Sequence, residues 1–435
     1  MKQYDAIIIG SGQAGTPLAF TLAAQGNNVA FIEKEHLGGT CLNTGCTPTK
    51  AYVASARRMY EALHGDQLGI SIPSGAYADI KKIKARKDAL IKKSSDAILK
   101  AVNNEKNIDL YRGIATFTDF KCVSVEGELL RADKIFINVG ARANIPVGFR
   151  DADYLTNADI LQLNTVPEHL IIIGGSYIGL EFGQMFRRFG SRVTIIERGN
   201  RLISREDEAV SEAVRSILEE EGIEFIMNAD CISAKREKTG AVTVMADCHQ
   251  EPMRVTGTHL LLAVGRVPNS DTLNLNATGI SVDKKGYIPV NEYLETKIPG
   301  IYALGDCNGR GAFTHTSYND YEIIAGNLSS GMTKSVSDRI PMYALYIDPP
   351  LGRAGLTLAQ ARQTGKKIKY AFRSMKDVAR AREKGETKGF MSVVVDDETK
   401  KILGASVLGV GGDEVISGIV NIMTADLPYT VIRDS

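Results

Sequence analysis

The 435-residue sequence lacks tryptophan, a long apolar run and any marked excess of charge of one sign. No apolar stretch approaches the roughly 20 residues that span a bilayer, and the opening MKQYDAIIIG lacks the apolar segment and cleavage site of a signal peptide. A formal net charge of +1, with both signs interspersed, gives no reason to expect nucleic acid or an anionic membrane as partner. The sequence therefore predicts a cytoplasmic protein of about two to four domains.

Cysteine is scarce, with six in the chain, and two of the six stand close together in GGTCLNTGCTPTK at 38–50. Structural disulfides are rare in a reducing cytoplasm, where a close pair is more often catalytic or metal-binding. The remaining cysteines are scattered without the spacing of a zinc site, at Cys122, Cys231, Cys248 and Cys307. We therefore expect no metal site and interpret Cys41 and Cys46 as a reactive pair, with a structural staple as the alternative.

The spacing of Cys41 and Cys46 limits their geometry. Five residues along a regular α-helix rise about 7.5 Å and turn the side chains apart, whereas a disulfide needs Cα atoms within about 7 Å. Gly45 and Pro48 supply an irregularity, and proline suits the first turn of a helix. Lys50 follows Cys46 by one helical turn, so we expect an ammonium group beside a thiol at a helix start, with a lowered thiol pKa.

Two segments of the chain read alike: YDAIIIGSGQAGTPLAFTLAAQGNNVAFIEK near the start and HLIIIGGSYIGLEFGQMFRRFGSRVTIIER further on. Each contains an apolar run, a glycine turn, a helical stretch, a second apolar run and an acid, which together indicate a βαβ unit. The matching positions are Gly10 and Gly174, Gly15 and Gly179, Gly26 and Gly190, and Glu33 and Glu197. A βαβ unit without a ligand is the alternative for either copy, but the repetition favours two dinucleotide sites.

The glycines and the acid have separate roles in such a site. The first glycine makes the tight turn, the second admits a pyrophosphate, the third lets helix pack on strand, and N–H groups of the helix hold the diphosphate. Glu33 and Glu197 end the second strands, where a carboxylate accepts from ribose hydroxyls. The second copy has Ser176 in place of the middle glycine, which crowds the phosphates, although its hydroxyl can donate to one. If one dinucleotide is a nicotinamide, we expect the other to be a flavin that accepts its hydride.

The nicotinamide donor stays open between NADH and NADPH. Glu197 would accept from a ribose 2′-hydroxyl and repel a 2′-phosphate, which favours NADH. Arg198 and Arg201 follow at once and could hold that phosphate, or they could be solvated surface charges.

GGTCLNTGCTPTK resembles the redox-active motif of the flavin-dependent pyridine nucleotide-disulfide oxidoreductases, whose members include lipoamide dehydrogenase, glutathione reductase and mercuric reductase. The resemblance covers nearly the whole chain and extends to the two repeats, to LLAVGRVPN at 261–269 and to PGIYALGD at 299–306. GFMSVVVDDETKKILGASVLG at 389–409 is similar to part of the family's dimerisation domain. The threonines of TGCTPTK, with AFTHTSYNDYEII at 312–324 and LPYTVIRD at 427–434, resemble the mercuric-reductase-like and reactive-chlorine-resistance branch.

The resemblance implies a role for each matching residue. FAD would be held by Gly10, Gly12, Gly15, Glu33, Gly39, Thr40, Lys50 and Asp306. NAD(P)H would be held by Gly174, Ser176, Gly179, Glu197, Arg198 and Gly265. The catalytic residues would be Cys41, Cys46, Lys50, Glu181 and Tyr177.

Within the catalytic set, the resemblance implies that Cys46 faces the flavin and that Cys41 meets the substrate. Lys50 would pair with Glu181 near the flavin, and Tyr177 would gate the nicotinamide pocket. From the residues alone, Glu181 is typical of a solvated helix carboxylate and Tyr177 of a packing aromatic.

The implied fold is α/β, with two Rossmann-like dinucleotide-binding domains, for FAD and NAD(P), and a C-terminal α+β dimerisation domain. We expect the FAD domain at 1–145, the NAD(P) domain at 146–265, a central segment completing the FAD domain at 266–335, and the interface domain at 336–435. GVGGDEVISGIVNIM is expected to form a glycine-led helix of that interface, and the resemblance implies a homodimer. The last histidine is His315, whereas the family has a catalytic histidine near its C-terminus. We therefore expect that the C-terminal tail is missing and that the chain as given is poor at dithiol exchange, with an enzyme that works without this base as the alternative.

The implied function is that of an NAD(P)H-dependent flavoprotein disulfide oxidoreductase. Electrons would pass from NAD(P)H through FAD to the Cys41–Cys46 disulfide and on to a metal ion or small oxidant. The alternative substrate is dihydrolipoamide or another disulfide. An alternative of another class is a flavin-binding redox sensor with an idle thiol pair, which only the lack of the tail histidine supports.

Overall fold

The computed structural model describes residues 1–71, 75–248, 251–330 and 334–435 and divides into two compact units. Unit 1 consists of residues 1–49, 85–144 and 265–339, and unit 2 consists of residues 50–84, 145–264 and 340–435. Among the described residues, no helix combines the length and the apolar character needed to cross a membrane.

The strands are, in chain order, β1 (Lys2–Ile9), β2 (Val29–Glu33), β3 (Ile108–Arg112), β4 (Ala115–Asp119), β5 (Cys122–Val125), β6 (Glu128–Ile137), β7 (Ala141–Ala143), β8 (His169–Ile173), β9 (Arg192–Ile196), β10 (Ile223–Ile226), β11 (Ala229–Arg236), β12 (Val242–Cys248), β13 (Glu251–Gly257), β14 (His259–Leu262), β15 (Arg266–Pro268), β16 (Ile301–Ala303), β17 (Met342–Leu345), β18 (Leu351–Gly355), β19 (Ile368–Ser374), β20 (Phe390–Asp396) and β21 (Ile402–Leu408).

The α-helices are, in chain order, α1 (Gly15–Ala24), α2 (Gly39–Asn43), α3 (Cys46–Leu63), α4 (Ile80–Asn104), α5 (Asn157–Ile160), α6 (Tyr177–Phe189), α7 (Glu208–Glu220), α8 (Thr314–Ser330), α9 (Leu358–Gln363), α10 (Ala379–Glu383), α11 (Gly412–Thr424) and α12 (Thr430–Arg433). Single 3-10 turns lie at Gly65–Leu68, Val147–Phe149, Asn269–Thr272, Leu275–Thr278, Gly305–Asn308, Val336–Asp338 and Met375–Asp377.

A seven-stranded sheet forms the centre of unit 1, in the order β3-β2-β1-β6-β5-β4, with β16 paired to β6. Strand β1 is parallel to β2 and β6, and β16 is parallel to β6, whereas β4 and β5 are antiparallel additions. The parallel strands therefore bring the carboxyl ends of β1, β6 and β16 to one edge of the sheet, where β1 leads into α1.

Strand β1 buries both of its faces. Ile7 and Ile9 pack in a hydrophobic cluster with residues of β4, β5 and β6, whereas Ala6 and Ile8 pack in a second cluster with residues of α1. A strand covered on both faces needs apolar side chains at consecutive positions, which explains the uninterrupted run AIII.

The described residues of unit 2 form three sheets. The first is the parallel sheet β10-β9-β8-β14, in which α6 connects β8 to β9. The second, β11-β12-β13, and the third, β17-β18-β21-β20-β19, are antiparallel. The repeat found in the sequence is confirmed as two βαβ units, β1-α1-β2 in unit 1 and β8-α6-β9 in unit 2. The predicted fold class, with two Rossmann-like parts and a C-terminal α+β part, is also confirmed.

Helix α11 packs on β18 and β21, and it confirms the glycine-led helix predicted at GVGGDEVISGIVNIM. A Cβ at Gly352 of β18 would lie 2.1 Å from the carbonyl oxygen of Gly412, the first residue of the helix. Glycine at this strand position therefore lets the start of the helix pack directly on the sheet.

The predicted domain boundaries stay a prediction, and one segment differs from them. Residues 50–84 were expected in the FAD domain, but they belong to unit 2. The physical reason is hydrophobic packing, since Tyr52 and Ala56 of α3 lie in one buried cluster with Phe186 and Phe189 of α6. The rings of Tyr52 and Phe189 meet edge to face, with centroids 6.1 Å apart.

We predict that Gly15→Ala lowers the Tm by roughly 5 °C or more, because its Cβ would lie 2.1 Å from the carbonyl oxygen of Gly10 and overpacking costs about 1–3 kcal/mol. The matched control is Gly326→Ala in α8, where the nearest described atoms to the added Cβ belong to the flexible side chain of Lys334, at 3.4 Å and beyond. Alanine favours a helix, so this control is expected to keep or slightly raise the Tm. Thermal unfolding followed by circular dichroism tests both variants, and equal Tm values would contradict the packing argument.

Candidate functional site

The turn between β1 and α1 has no room for side chains at its glycines. A Cβ at Gly15 would lie 2.1 Å from the carbonyl oxygen of Gly10, and one at Gly12 would lie 2.6 Å from Oδ1 of Asn138. Gly10 itself has a φ of +102°, in the left-handed region that favours glycine. The amide of Asn138 then fixes the turn: Oδ1 accepts from the N–H of Gly15 at 2.9 Å, and Nδ2 donates to the carbonyl of Leu304 at 2.8 Å.

Glu33, at the end of β2, is buried and directs its carboxylate at this turn. Oε2 accepts from the backbone N–H of Ser11 at 3.0 Å and from its hydroxyl at 2.6 Å, while Oε1 accepts from the N–H of Glu35 at 2.9 Å. Each carboxylate oxygen has two lone pairs, so Oε1 keeps capacity for a ribose hydroxyl. On the far side of the turn, a Cβ at Gly39 would lie 3.0 Å from the Cα of Gly12.

These features fit the adenosine end of a dinucleotide. A bare turn admits a diphosphate close to the backbone, and the following helix start offers N–H groups and the positive end of its dipole. A buried carboxylate beside the turn supplies an acceptor for ribose. FAD fits here on the geometry of Gly10, Gly12, Gly15 and Glu33.

Cys41 lies in α2 and Cys46 is the first residue of α3. The break predicted between the two cysteines is thereby confirmed. A Cβ at Gly45 would lie 2.8 Å from the carbonyl oxygen of Thr40, so glycine lets the second helix start tightly against the first. Pro48 falls in the first turn of α3, as expected. The two cysteines are not joined in a disulfide; Cys41 is partly buried and Cys46 is exposed.

Thr314, the first residue of α8, contacts both sulfurs. Its Oγ1 lies 3.0 Å from Sγ of Cys46 and donates to Sγ of Cys41 at 3.1 Å. A hydrogen bond with Cys46, and then burial, raise the pKa of the Cys41 thiol, whereas the hydrogen bond with Thr314 acts in the opposite direction. This arrangement favours a protonated Cys41, whereas the lowered thiol pKa expected from the sequence concerned the thiol at the helix start and stays a prediction.

Asp306, at the start of a 3-10 turn after β16, is largely buried, and burial raises the pKa of its carboxyl above the usual range. The guanidinium of Arg266 opposes this shift, with Nε 3.5 Å from Oδ2 of Asp306. The Arg266 Nε is buried and has no hydrogen-bond acceptor in the described part of the chain. A buried donor without an acceptor costs free energy. The pair is therefore suited to a polar ligand such as the ribityl chain of a flavin.

Lys50 and Glu181 form an ion pair in unit 2, with Nζ 2.7 Å from Oε2. The other oxygen of Glu181 accepts from the backbone N–H of Tyr346 at 2.9 Å, and the Lys50 ammonium lies 4.4 Å from the centroid of the Tyr346 ring. The side chain of Glu181 is only 7% exposed. The interpretation of Glu181 as a solvated helix carboxylate is therefore wrong.

Tyr177, the first residue of α6, belongs to a buried polar cluster in unit 2. Its hydroxyl donates to Oε1 of Glu206 at 3.3 Å, and the hydroxyl of Tyr343 donates to the same oxygen. The two rings meet edge to face, with centroids 5.6 Å apart. Burial, followed by the nearby Glu206 carboxylate, raises the pKa of both tyrosines, which keeps their hydroxyls protonated as donors.

Arg353 provides the cation of this cluster. Its Nε lies 3.2 Å from Oε2 of Glu206, and the two side chains are 2% and 0% exposed. One terminal nitrogen of Arg353 also donates to the carbonyls of Ala354 and Ala405, at 2.6 and 2.9 Å. The guanidinium is thus anchored to β18 and β21, and it holds Glu206 beneath the hydroxyl of Tyr177.

The second glycine turn repeats the first. A Cβ at Gly179 would lie 2.0 Å from the carbonyl oxygen of Gly174. Glu197 takes the place of Glu33. Its Oε2 accepts from the backbone N–H of Gly175 at 2.6 Å, and its Oε1 accepts from the backbone N–H of Gly199 at 2.7 Å. Ser176 precedes α6 in extended conformation, without a side-chain capping hydrogen bond. The turn therefore fits a second dinucleotide.

The other residues assigned to the nicotinamide site lie further out. Arg198 is 83% exposed and pairs with Asp230, with Nε 3.4 Å from Oδ1. Arg201 donates to the carbonyl of Ser204 at 3.0 Å. Gly265 belongs to unit 1, unlike the rest of this set, and no atom lies within 4 Å of where its Cβ would be.

Sequence reasoning missed several residues of these sites. Thr314 lies in a segment that was noticed only for its resemblance to a family, and Asn138 lies outside every motif quoted above. Glu206, Tyr343 and Arg353 carried no signal, because an acid, a tyrosine and an arginine in isolation are typical of any surface. Their roles depend on contacts between residues far apart in the chain.

Comparison with known sequences places the whole chain in one group. A sequence profile described as pyridine nucleotide-disulphide oxidoreductase matches residues 4–320, and one described as the dimerisation domain of that family matches residues 342–434. The probable pyridine nucleotide-disulfide oxidoreductase RclA of Escherichia coli (strain K12) is 34% identical, and the alignment covers 100% of this chain and 96% of that protein. A mercuric reductase of Staphylococcus aureus is 32% identical, over 95% of this chain and 76% of that protein. A dihydrolipoyl dehydrogenase of Bacillus subtilis (strain 168) is 32% identical, over 97% of this chain and 92% of that protein.

Solved structures give the same result. The HOCl-induced flavoprotein disulfide reductase RclA from Escherichia coli is similar with a TM-score of 0.90 and 33% identity, over 99% of this chain and 96% of that one. A Cu(II) complex of the same reductase is similar with a TM-score of 0.91 and 33% identity, over 100% of this chain and 96% of that one.

We predict that Arg353→Met destabilises the protein by about 3–5 kcal/mol, a fall in Tm of roughly 10 °C, because Glu206 stays buried without its cation. Adding Glu206→Gln to this variant removes the uncompensated charge, so the double variant is expected to recover part of the loss. The matched control is Arg192→Met, which breaks an exposed pair with Glu224 in the same unit and is expected to change stability by less than about 1 kcal/mol. Melting curves of all variants provide the test. If the double variant loses as much stability as the single variants Arg353→Met and Glu206→Gln lose together, the two residues are not coupled.

Proposed function

We propose that this chain, which belongs to the pyridine nucleotide-disulphide oxidoreductases, delivers its electrons to a metal ion such as Cu(II). In this family, electrons pass from NAD(P)H through FAD to a cysteine disulfide and on to the substrate. The chain is accordingly an oxidoreductase and a flavoprotein that uses FAD and NAD(P)H. The acceptor, the preferred donor and the role of each residue are what we propose.

One geometric observation carries the proposal: Oγ1 of Thr314 lies within 3.1 Å of the sulfurs of both Cys41 and Cys46. The two thiols are also hydrogen-bonded to each other, and this proximity is what a disulfide between them requires. The exposed Cys46 and the partly buried Cys41 also have different surroundings, which suits a pair in which each thiol has its own task.

The residues described above would hold the cofactors. When bound, FAD supplies the two-electron chemistry that links a nicotinamide hydride to a disulfide. We assign FAD binding to Gly10, Gly12, Gly15, Glu33, Gly39, Thr40, Lys50 and Asp306. We assign NAD(P)H binding to Gly174, Ser176, Gly179, Glu197, Arg198 and Gly265. Each glycine turn excludes side chains, and each acid holds the loop amides and offers an acceptor to ribose.

The remaining catalytic assignments concern Lys50, Glu181 and Tyr177. The buried carboxylate of Glu181 fixes the Lys50 ammonium, so that a positive charge is held in one place instead of moving in solvent. The cluster of Glu206 and Tyr343 orients the Tyr177 hydroxyl in the same way. We propose that Tyr177 covers the nicotinamide pocket.

Cu(II) is the acceptor that the relatives favour, since one similar structure is a Cu(II) complex and several similar proteins are mercuric reductases. The step balances with two metal ions. The Cys41 and Cys46 thiols lose two protons to solvent and form one S–S bond, and each of two Cu(II) ions gains one electron to become Cu(I). NAD(P)H then restores the two thiols. Disulfide formation leaves no thiolate at the pair, so the two Cu(I) ions are released as product.

We propose NADH as the preferred donor. Glu197 is fixed by two backbone N–H groups, and a carboxylate held at this place accepts from a 2′-hydroxyl and repels a 2′-phosphate. Arg198 is exposed and already paired with Asp230, which supports its interpretation as a surface charge.

The proposal includes assembly and location. The match of residues 342–434 to the dimerisation domain supports a homodimer built through the sheet β17-β18-β21-β20-β19 and α11. We propose a cytoplasmic location, where NADH is supplied. The four-domain division at 1–145, 146–265, 266–335 and 336–435 is kept as part of the proposal.

The second candidate function is that of a dihydrolipoamide dehydrogenase. A relative of that name from Bacillus subtilis matches this chain with the same 32% identity as the mercuric reductase of Staphylococcus aureus. A third candidate is a redox sensor with an idle thiol pair. In such a sensor the thiols would not accept electrons, whereas in both enzymes they would.

We predict that anaerobic addition of NADH to the yellow protein delivers two electrons while the flavin stays largely oxidised, with a long-wavelength band from the Cys46 thiolate. NADH is expected to act at lower concentration than NADPH. In Cys46→Ser the flavin is expected to bleach directly without the band, whereas Cys231→Ser, an exposed cysteine outside the pair, is expected to behave as wild type. If the flavin of the wild-type protein bleaches directly, without the long-wavelength band, the cysteine pair is idle and the redox sensor becomes the favoured function.

We predict that NADH oxidation depends on added Cu(II) and that Cys41→Ser lowers kcat/KM for Cu(II) by about 100-fold or more, because one of the two sulfurs that supply electrons to the metal is lost. Steady-state rates with Cu(II), Hg(II), a quinone and lipoamide rank the acceptors, and Cys231→Ser again serves as the control. Turnover of lipoamide faster than Cu(II) by orders of magnitude would overturn the metal-ion proposal in favour of the dihydrolipoamide dehydrogenase.

A further inference from the structure

The cysteine pair poses a problem of protonation. An attacking sulfur must be a thiolate, since the thiol is a poor nucleophile. The structure nevertheless raises the pKa of Cys41, first through its hydrogen bond with Cys46 and then through burial. Two adjacent thiols favour the state in which one sulfur is protonated and the other is a thiolate. The question is which of the two cysteines is the thiolate.

Thr314 is placed to determine which of the two sulfurs carries the negative charge. Its Oγ1 lies 3.0 Å from Sγ of Cys46, where either atom can donate, and it donates to Sγ of Cys41 at 3.1 Å. A hydroxyl is one donor and at the same time an acceptor, so it can donate to one sulfur while it accepts from the other. Of the causes of the Cys41 pKa shift, the hydrogen bond with Thr314 is one that favours the thiolate.

The backbone around Thr314 holds this hydroxyl in place. The residue opens α8, and the start of the helix is closed by Thr316, whose Oγ1 accepts from the N–H of Phe313 at 3.1 Å and donates to the carbonyl of Phe313 at 2.7 Å. The neighbouring His315 stacks on the ring of Phe313, with centroids 5.5 Å apart. The other titratable groups near the starts of these two helices are His315 on α8 and Lys50 on α3, and Lys50 is paired with Glu181.

We propose that the Thr314 hydroxyl relays a proton between Cys41 and Cys46, which makes Thr314 a catalytic residue of the reaction proposed above, on which this inference rests. In the forward direction the S–H proton of Cys41 passes to Oγ1 while the O–H proton of Thr314 passes to the Cys46 thiolate. One S–H bond breaks, another forms, the hydroxyl is regenerated and no electron moves. The negative charge thereby shifts from Cys46 to Cys41, the sulfur that meets the substrate.

The reverse transfer serves the other half of the cycle. After the disulfide is reduced, a hydroxyl that donates to Cys46 stabilises the thiolate there and leaves Cys41 protonated. One side chain therefore supports either charge state, and it does so at the cysteine pair itself.

The test uses site-resolved alkylation of the flavin-loaded protein. The dithiol form is prepared anaerobically with a phosphine and treated with iodoacetamide from pH 5 to 9, and mass spectrometry measures each cysteine separately. Thr314→Val keeps the shape of the side chain and removes the hydroxyl, whereas Thr314→Ser keeps the hydroxyl. Flavin absorbance and Tm show whether each variant is folded, and Thr314→Ala replaces Thr314→Val if the valine does not fit.

We expect the rate of alkylation at pH 7 to fall about tenfold at both cysteines in Thr314→Val, because losing a hydrogen bond to a charged group raises a pKa by about one unit. Thr314→Ser is expected to stay within about twofold of wild type. The solvent isotope effect on Cu(II)-dependent turnover is expected to be smaller in Thr314→Val, since the relayed proton is gone. A change at one cysteine alone would show a fixed hydrogen bond in place of a relay, and no change at either would show a bystander.

The proposed function and the proposed proton relay can be disproved independently of each other. If NADH produces no long-wavelength band in the wild-type protein, the proposed function fails whatever the alkylation shows. If the band forms and Thr314→Val alkylates like wild type at both cysteines, the electron path stands and the relay is wrong.

Discussion

Both nucleotide turns depend on one steric constraint: the Cα of a helical glycine lies directly against the carbonyl at the end of the preceding strand. A Cβ would lie 2.1 Å from that oxygen at Gly15 and 2.0 Å at Gly179. This approach brings the first N–H groups of α1 and α6 to the edge of the parallel sheet, where a diphosphate can reach them. Glu33 and Glu197 then hold the loop amides from the neighbouring strand, so each turn is fixed by its own backbone before any ligand binds. Preorganisation of this kind means that binding does not have to order the loop.

The parts of the fold that were predictable are those in which the signal is local. The two βαβ units were readable because each places an apolar run, a glycine turn and an acid within one short stretch of sequence. The break between Cys41 and Cys46 was readable for the same reason, since helix geometry over five residues decides it. The packing of residues 50–84 with unit 2 was not readable, because it depends on Tyr52 meeting Phe189 across more than a hundred positions of sequence. Periodicity shows that a face is apolar, but it does not show which element covers that face.

The same limit applies to the sites. Asn138 accepts from Gly15 across 123 positions, Lys50 meets Glu181 across 131, and Thr314 meets Cys41 across 273. A glutamate on an amphipathic helix is normally solvated, so Glu181 looked like a surface charge until the structure showed it buried against Lys50. Resemblance to a family drew attention to this pair and to Tyr177, whereas Thr314, Glu206 and Arg353 needed the three-dimensional contacts.

The two units compensate charge in different ways, and the difference suits their tasks. In unit 2, Glu206 is paired with Arg353 and Glu181 with Lys50, so each buried carboxylate faces a fixed cation. A fixed cation favours one place for a negative charge and holds it there. The two sulfurs in unit 1 are bridged instead by the hydroxyl of Thr314, which carries no net charge and can turn its hydrogen toward either sulfur. A pair of cysteines that alternates between accepting electrons and attacking a substrate needs its charge to move. A hydroxyl between the sulfurs permits that movement, which a fixed cation beside one sulfur would oppose.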